Sequence, residues 1–239
     1  EAVRDYPRVA CVGANATGKD FLAARLVLWW LKRYEEEGAK VVITAATHRQ
    51  VQEIVWRETR AAYYDAKVPL GGNMLPREAM WNLRDDCFAI GFSTDKPFSL
   101  QGFHSNHLLC IVSEAHAFDQ ADMDALKRLN PERILLTGNA LSTEGEFYQA
   151  FGEMANLYHT ITITAPEVIA AQAEMGVQLP GLVQQQDMEA RAAEWGVESP
   201  LYKASVLAEF PSTLVGQLIP LPWLQGAKSR PVVDSGGEV

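Results

Sequence analysis

The segment Gly13-Ala14-Asn15-Ala16-Thr17-Gly18-Lys19-Asp20 constrains this chain more than any other, because it follows the apolar run 9–12 and leads directly into the helical pattern 21–34. A glycine-containing turn between a strand and a helix points backbone N–H groups inward, and the helix N-terminus adds positive potential to the same place. A lysine at the helix start sets a point charge against the β and γ phosphates of a nucleotide. Strand, glycines, Gly18-Lys19 pair and helix stand here in the order a phosphate-binding loop requires. The expected nucleotide-binding residues are therefore Gly13, Ala14, Asn15, Ala16, Thr17, Gly18, Lys19, Asp20 and Phe21.

The rest of the first 140 residues has a matching rhythm. Apolar runs at 9–12, 41–45, 88–92, 108–112 and 134–137 are separated by helical patterns, the signature of a mainly parallel α/β sheet flanked by helices. The helix 21–34 meets a stop signal at Gly38, and 50–66 repeats apolar residues at Val51, Ile54, Val55 and Ala62 as an amphipathic helix does. Gly71-Gly72 and Pro76 mark a turn-rich excursion. Beyond residue 164 the composition shifts to Ala, Gln and Glu, which predicts helices broken at Pro180-Gly181 and Ser199-Pro200. From Pro211 the chain turns extended and ends in Ser235-Gly236-Gly237. The expected division is a core over 1–164, a small helical subdomain over 165–210 and a linker over 211–239.

One departure inside the loop carries chemistry. The residue after the lysine is ordinarily Ser or Thr, whose hydroxyl ligates Mg²⁺, and here it is Asp20. The strand 108–112 ends in Ser113-Glu114, where most such ATPases carry Asp-Glu. The two positions normally face each other across one Mg²⁺, so the sequence predicts an exchange, with the carboxylate on the loop and the hydroxyl on the strand. One carboxylate and one hydroxyl are still offered to an octahedral oxygen shell completed by water and phosphate. Glu114 is then the expected general base that orients the attacking water. The strand 134–137 runs into Thr137-Gly138-Asn139, which places Thr137 and Asn139 as expected sensors of the γ-phosphate.

These motifs together resemble the large terminase subunit of tailed bacteriophages. Besides the loop and Ser113-Glu114, the resemblance is carried by 41–48 (VVITAATH) with Gln50, 98–104 (FSLQGFH), Thr137-Gly138-Asn139, 145–151 (GEFYQAF), and the late segments 208–211 and 218–223. It implies a P-loop ATPase of the additional-strand, catalytic-glutamate class. It further implies ATP and Mg²⁺ as cofactors, a ring of subunits on a portal protein, a small terminase subunit as helper, and double-stranded viral DNA as cargo. The expected location is the cytoplasm of the infected host, outside the finished virion, and the family's nuclease would begin beyond Val239. Many relatives carry an arginine inside the loop, where this chain has Ala14 and Asn15, and some carry one in the segment matching 99–102, where it has Gln101. Arg128 and Arg133 are the substitutes the sequence offers, and Arg49, Arg57 and Arg60 are exposed-helix residues within possible reach of DNA phosphates.

Bulk properties bound this reading. A formal charge of -9 excludes a generally basic DNA-coating surface and leaves room only for a local basic strip. No apolar run approaches the ~18 residues of a membrane span. Cys11, Cys87 and Cys110 lack metal-ligand spacing, which fits a reducing compartment. His48, His104, His107 and His116 likewise lack it and read as polar fillers or γ-phosphate neighbours. Residues 1–7 are charged and lead straight into a strand, which reads as a trimmed start rather than a signal peptide. The rival readings are a helicase-like translocase, which needs a second similar domain, and a nucleotide-binding module with lost catalysis. Retention of Lys19, Asp20 and Glu114 argues against the second.

Overall fold

The computed structural model describes residues 1–93 and 103–211. Its centre is an eight-stranded sheet: β1 Arg8–Gly13, β2 Lys40–Ala45, β3 Asn73–Met74, β4 Met80–Arg84, β5 Cys87–Ser93, β6 Leu108–Val112, β7 Arg133–Gly138 and β8 His159–Ile163. The strand order is β3-β4-β5-β2-β6-β7-β1-β8. Pairs from β5 to β8 are parallel, and β3 and β4 are antiparallel additions at one edge. β7 lies between β1 and β6, so one extra strand separates the phosphate-loop strand from the Ser113-Glu114 strand. This is the additional-strand arrangement expected from the resemblance.

The helices are α1 Ala2–Asp5, α2 Lys19–Arg33, α3 Trp56–Tyr64, α4 Gln120–Lys127, α5 Gly145–Gln149, α6 Ala165–Glu174, α7 Gln185–Trp195 and α8 Pro200–Val206. The five apolar runs each form a strand, and in β1, β2, β6 and β7 the run is continuous because strands covered by helices on both faces need apolar side chains at every position. Every residue of β6 is buried. On one face, Trp30 and Leu31 of α2 pack with Trp56 of α3 and Trp81 of β4. On the other, Met123 and Leu126 of α4 pack with Leu136 and Phe147. A buried ring such as Phe147 contributes about 1.5–3 kcal/mol. Cys11, Cys87 and Cys110 are free and buried, and burial pushes the Cys11 thiol up to about 11.

Several features depart from the sequence reading. The excursion around Gly71 and Pro76 holds β3 and β4, and β8 was not expected at all. β8 is an edge strand with alternating exposure rather than a continuous apolar run, which hides it among loop residues. The amphipathic stretch 50–66 is divided: Gln50–Val55 is π-helical before α3 begins. The break expected at Ser199-Pro200 is present, since α7 ends at Trp195 and α8 begins at Pro200. Ser199 Oγ accepts from Tyr202 N–H at 3.1 Å, and proline, with no N–H to satisfy, suits the first helical turn. The segments 98–102, with Gln101, and 212–239, with 218–223, lie outside the described residues. Among those residues no helix is long and apolar enough to cross a membrane.

Candidate functional site

The site forms where β1, β6 and β7 end. β1 finishes at Gly13, and the loop is suspended from the C-terminal part of the chain. Ala14 N–H donates to Ile163 O at 2.8 Å, and Asn15 N–H to Ser205 O at 2.9 Å. Inside the loop Thr17 Oγ1 donates to Ala14 O at 3.0 Å. Gly18 adopts φ 83, a left-handed conformation that costs glycine little and bends the chain into α2. The first N–H groups of α2 lack intrahelical partners and face the loop's concavity as anion donors. Lys19 folds back, its Nζ donating to Gly13 O at 3.2 Å and Ala14 O at 2.8 Å. Burial lowers the Lys19 pKa, while Glu114 and Asp20 hold it up.

Asp20 and Ser113 meet. Ser113 Oγ donates to Asp20 Oδ1 at 3.1 Å, although 93 positions separate them, and Ser113 is 1% exposed. The backbone of Ser113 is fixed by its N–H donating to Thr44 O at 2.9 Å. Among the described residues no three His, Cys, Asp or Glu side chains converge as a metal cage. A Mg²⁺ ion carried by nucleotide phosphates needs only one or two protein oxygens, and this hard-oxygen pair fits it.

Glu114 follows at φ 52 and ψ 44, a left-handed conformation that is uncommon for a non-glycine residue. Burial raises its carboxyl pKa, Lys19 opposes the rise and Asp20 adds to it. His116 Nδ1 lies 3.3 Å from Glu114 Oε2 but lacks hydrogen-bond alignment, and burial, then Lys19, lowers the imidazole pKa. The ring is a close neighbour of Glu114 without a hydrogen bond to it.

β7 delivers Thr137 and Asn139. Thr137 Oγ1 is 3.5 Å from Val112 O, a weak bond across to β6. Asn139 is 5% exposed, and its Nδ2 donates to Gly13 O and to Asn15 Oδ1, each at 2.8 Å. The amide expected to face the γ-phosphate thus ties the β7 tip to the loop. Between them Gly138 allows close approach: a Cβ there would lie 3.1 Å from the Phe147 ring and 3.2 Å from the N of Ala115.

Other charged residues are placed differently from the sequence expectation. Arg133 stands at the start of β7, remote from the strand tips, and its guanidinium holds Val3 O at 3.0 Å and Arg4 O at 3.2 Å. It braces α1 and does not reach its own site. Arg60 is likewise engaged, by Leu75 O at 3.3 Å and Glu78 O at 2.7 Å. His107 precedes β6, at the end of the strands opposite the site, between Glu37 and Glu132 at 2.6 and 2.9 Å, with Tyr34 stacked on it. Arg57 instead lines a cavity of about 490 Å³ that opens from residues 16–21 and is closed by Ile54, Glu58 and residues 179–182. Sequence patterning gave no sign of this second wall, which comes from a loop about 160 residues away.

By sequence alone, no family profile and no curated protein matches the chain. Solved structures do match in shape. The large terminase of a thermophilic bacteriophage aligns at TM-score 0.67 and 12% identity, over 88% of this chain and 50% of that one. The large terminase of bacteriophage HK97 aligns at TM-score 0.60 and 14% identity, over 83% and 46%. The large terminase ATPase domain of Thermus phage P74-26 aligns at TM-score 0.54 and 14% identity, over 87% and 90%. The thermophilic phage's terminase has also been solved in complex with ADP. The chain therefore has the P-loop fold of large terminase ATPase domains and spans about half the length of the first two proteins.

Proposed function

We propose that this chain, which has the fold of phage large terminase ATPase domains, is the ATP-hydrolysing motor domain of a DNA-packaging terminase, coupling hydrolysis to movement of double-stranded viral DNA into a procapsid. The observation that carries the proposal is the Ser113–Asp20 hydrogen bond of 3.1 Å beside the Lys19 loop, which joins two compensating departures into one oxygen pair. The ADP-bound structure of a protein with this fold supports a nucleotide here.

In this mechanism the loop N–H groups and Lys19 hold the β and γ phosphates, Lys19 leaving the Gly13 and Ala14 carbonyls to do so. Asp20 and Ser113 would hold Mg²⁺, which supplies neutralisation of phosphate charge. Glu114, ionised, orients and polarises the attacking water and accepts its proton. Asn139 relays the state of the loop to the β7 tip through its bonds to Gly13 and Asn15. Residues 165–210 act as a small helical subdomain. DNA, a portal protein, a small terminase subunit and further copies of the chain in a ring are the proposed partners, at work in the cytoplasm of the infected host.

The test is Mg²⁺-dependent ATP hydrolysis at high protein concentration, with nucleotide titrations, for the parent, Glu114→Gln and Lys19→Ala. Glu114→Gln should bind ATP and lose at least about 100-fold in turnover, the scale of a general base. Lys19→Ala should lose binding. A parent that binds ATP without turnover, even on portal and DNA, overturns the motor and leaves a nucleotide-binding module.

A further inference from the structure

Taking the nucleotide site as proposed above, we infer that loop 179–182 is its base-side wall, and that this wall grips the flat face of a purine without reading its edge, so that ATP and GTP bind almost equally.

The 490 Å³ cavity begins at residues 16–21 and runs between Ile54, Arg57 and Glu58 on one side and Leu179, Pro180, Gly181 and Leu182 on the other. Lys19 and Asp20 line its phosphate side, whereas Ser113, Glu114, Thr137 and Asn139, which mark the γ-phosphate end, do not line it. What occupies it is therefore the other end of the nucleotide, ribose and base, and the volume is that of an ordinary small-ligand pocket. Loop 179–182 lies directly on the phosphate loop: Leu182 Cδ2 is 3.2 Å from where a Cβ on Gly18 would stand, and Val183 N–H donates to Ala16 O at 2.9 Å.

The backbone groups of Leu179 and Leu182, the two side chains that give this wall its aliphatic surface, are engaged internally. Gln172 of α6, 3% exposed, donates from Nε2 to Val183 O at 3.0 Å and accepts at Oε1 from Leu179 N–H at 2.9 Å. Gln184 Nε2 donates to Gln172 Oε1 at 3.1 Å and Leu182 O at 3.0 Å, and Leu182 N–H donates to Leu179 O at 3.2 Å. The loop thus offers a base chiefly aliphatic surface. Ile54 and Arg57 line the other side, and a planar guanidinium suits a ring face. Glu58 lies 3.9 Å from Arg57 NH2. Contact with a ring face is open to every base, whereas strong discrimination needs hydrogen-bonding groups at the base edge.

The experiment is calorimetric titration, with Mg²⁺, of ATP, GTP and inorganic tripolyphosphate into the parent chain and into the double variant Leu179→Ala, Leu182→Ala. ATP and GTP should agree within about threefold, both tighter than tripolyphosphate, since the base adds apolar contact of either kind. The double variant should weaken ATP and GTP alike by about tenfold, the scale of two lost aliphatic contacts, and leave tripolyphosphate unchanged. GTP weaker than ATP by more than about thirtyfold overturns the inference, because the edge is then being read. So does ATP binding indifferent to the double variant while tripolyphosphate still binds, and in that case the nucleotide site itself stands. A parent that binds neither ATP nor tripolyphosphate overturns the nucleotide site and this inference together.

Discussion

Exchanging Asp20 and Ser113 separates a functional pair from two unrelated polar residues. Ser113→Asp alone sets a second carboxylate about 4 Å from that of Asp20, in a position 1% exposed, where an effective dielectric of ~20 makes the repulsion about 4 kcal/mol. After relaxation and partial protonation we expect a loss of about 3 kcal/mol in unfolding free energy near pH 8. The sign with pH follows from proton linkage. A carboxyl whose folded pKa is raised binds its proton more tightly folded than unfolded. The penalty is therefore absent below the unfolded value of ~4, grows as pH rises and is complete above the folded value. Asp20→Ser alone removes the acceptor of a 3.1 Å hydrogen bond and costs about 1 kcal/mol. The double variant restores one carboxylate and one hydroxyl in the reverse order, so it should recover at least about 2 of the ~4 kcal/mol that the singles sum to. Urea unfolding at pH 5 and pH 8 measures the cycle, and Mg²⁺-ATP titration of all four proteins shows whether the double variant regains affinity. A coupling energy below about 0.5 kcal/mol at pH 8, within the range of independent sites, refutes the exchange.

Three further perturbations probe the surrounding structure. Because burial raises the Glu114 pKa, its ionised form opposes folding above the unfolded pKa. Glu114→Gln should raise the melting temperature by roughly 2–4 °C at pH 8 and leave it unchanged at pH 4, while the parent's turnover falls as pH drops through the raised value. Gly138→Ala drives a methyl to within 3.1–3.3 Å of Phe147 and the N atoms of Ala115 and His116. A cost of about 1–3 kcal/mol is expected in a denaturant melt, together with reduced turnover, because the Glu114 turn is displaced. Glu146 is buried at 3% exposure and accepts from Lys127, Tyr158 and Gln120, which fixes α5 against α4. Glu146→Ala should cost about 2–3 kcal/mol by calorimetric unfolding, less than a fully buried pair because Lys127 can turn toward water.

Residues 13–20 announced the phosphate loop because its chemistry is local: glycines, lysine and helix start adjoin in the chain. The five apolar strands were legible for a related reason, since a strand covered on both faces must be apolar throughout. The two departures at Asp20 and Ser113 were also visible in the sequence, and the structure brings these side chains within a 3.1 Å hydrogen bond. Edge elements were not legible. β8 alternates Thr with Ile, and β3 with β4 hides among turn residues, because half-exposed strands carry a weaker pattern. The roles of single side chains were less legible still. Arg133 looked free in sequence and is held by the Val3 and Arg4 carbonyls, while Asn139 looked poised for phosphate and holds Gly13 and Asn15. The sequence by itself determined the loop and the buried strands, which depend on neighbouring residues or on burial. Only the tertiary structure decided that Leu179–Leu182 closes the cavity over Gly18, because contacts between distant segments follow from chain topology and leave no periodicity in the sequence.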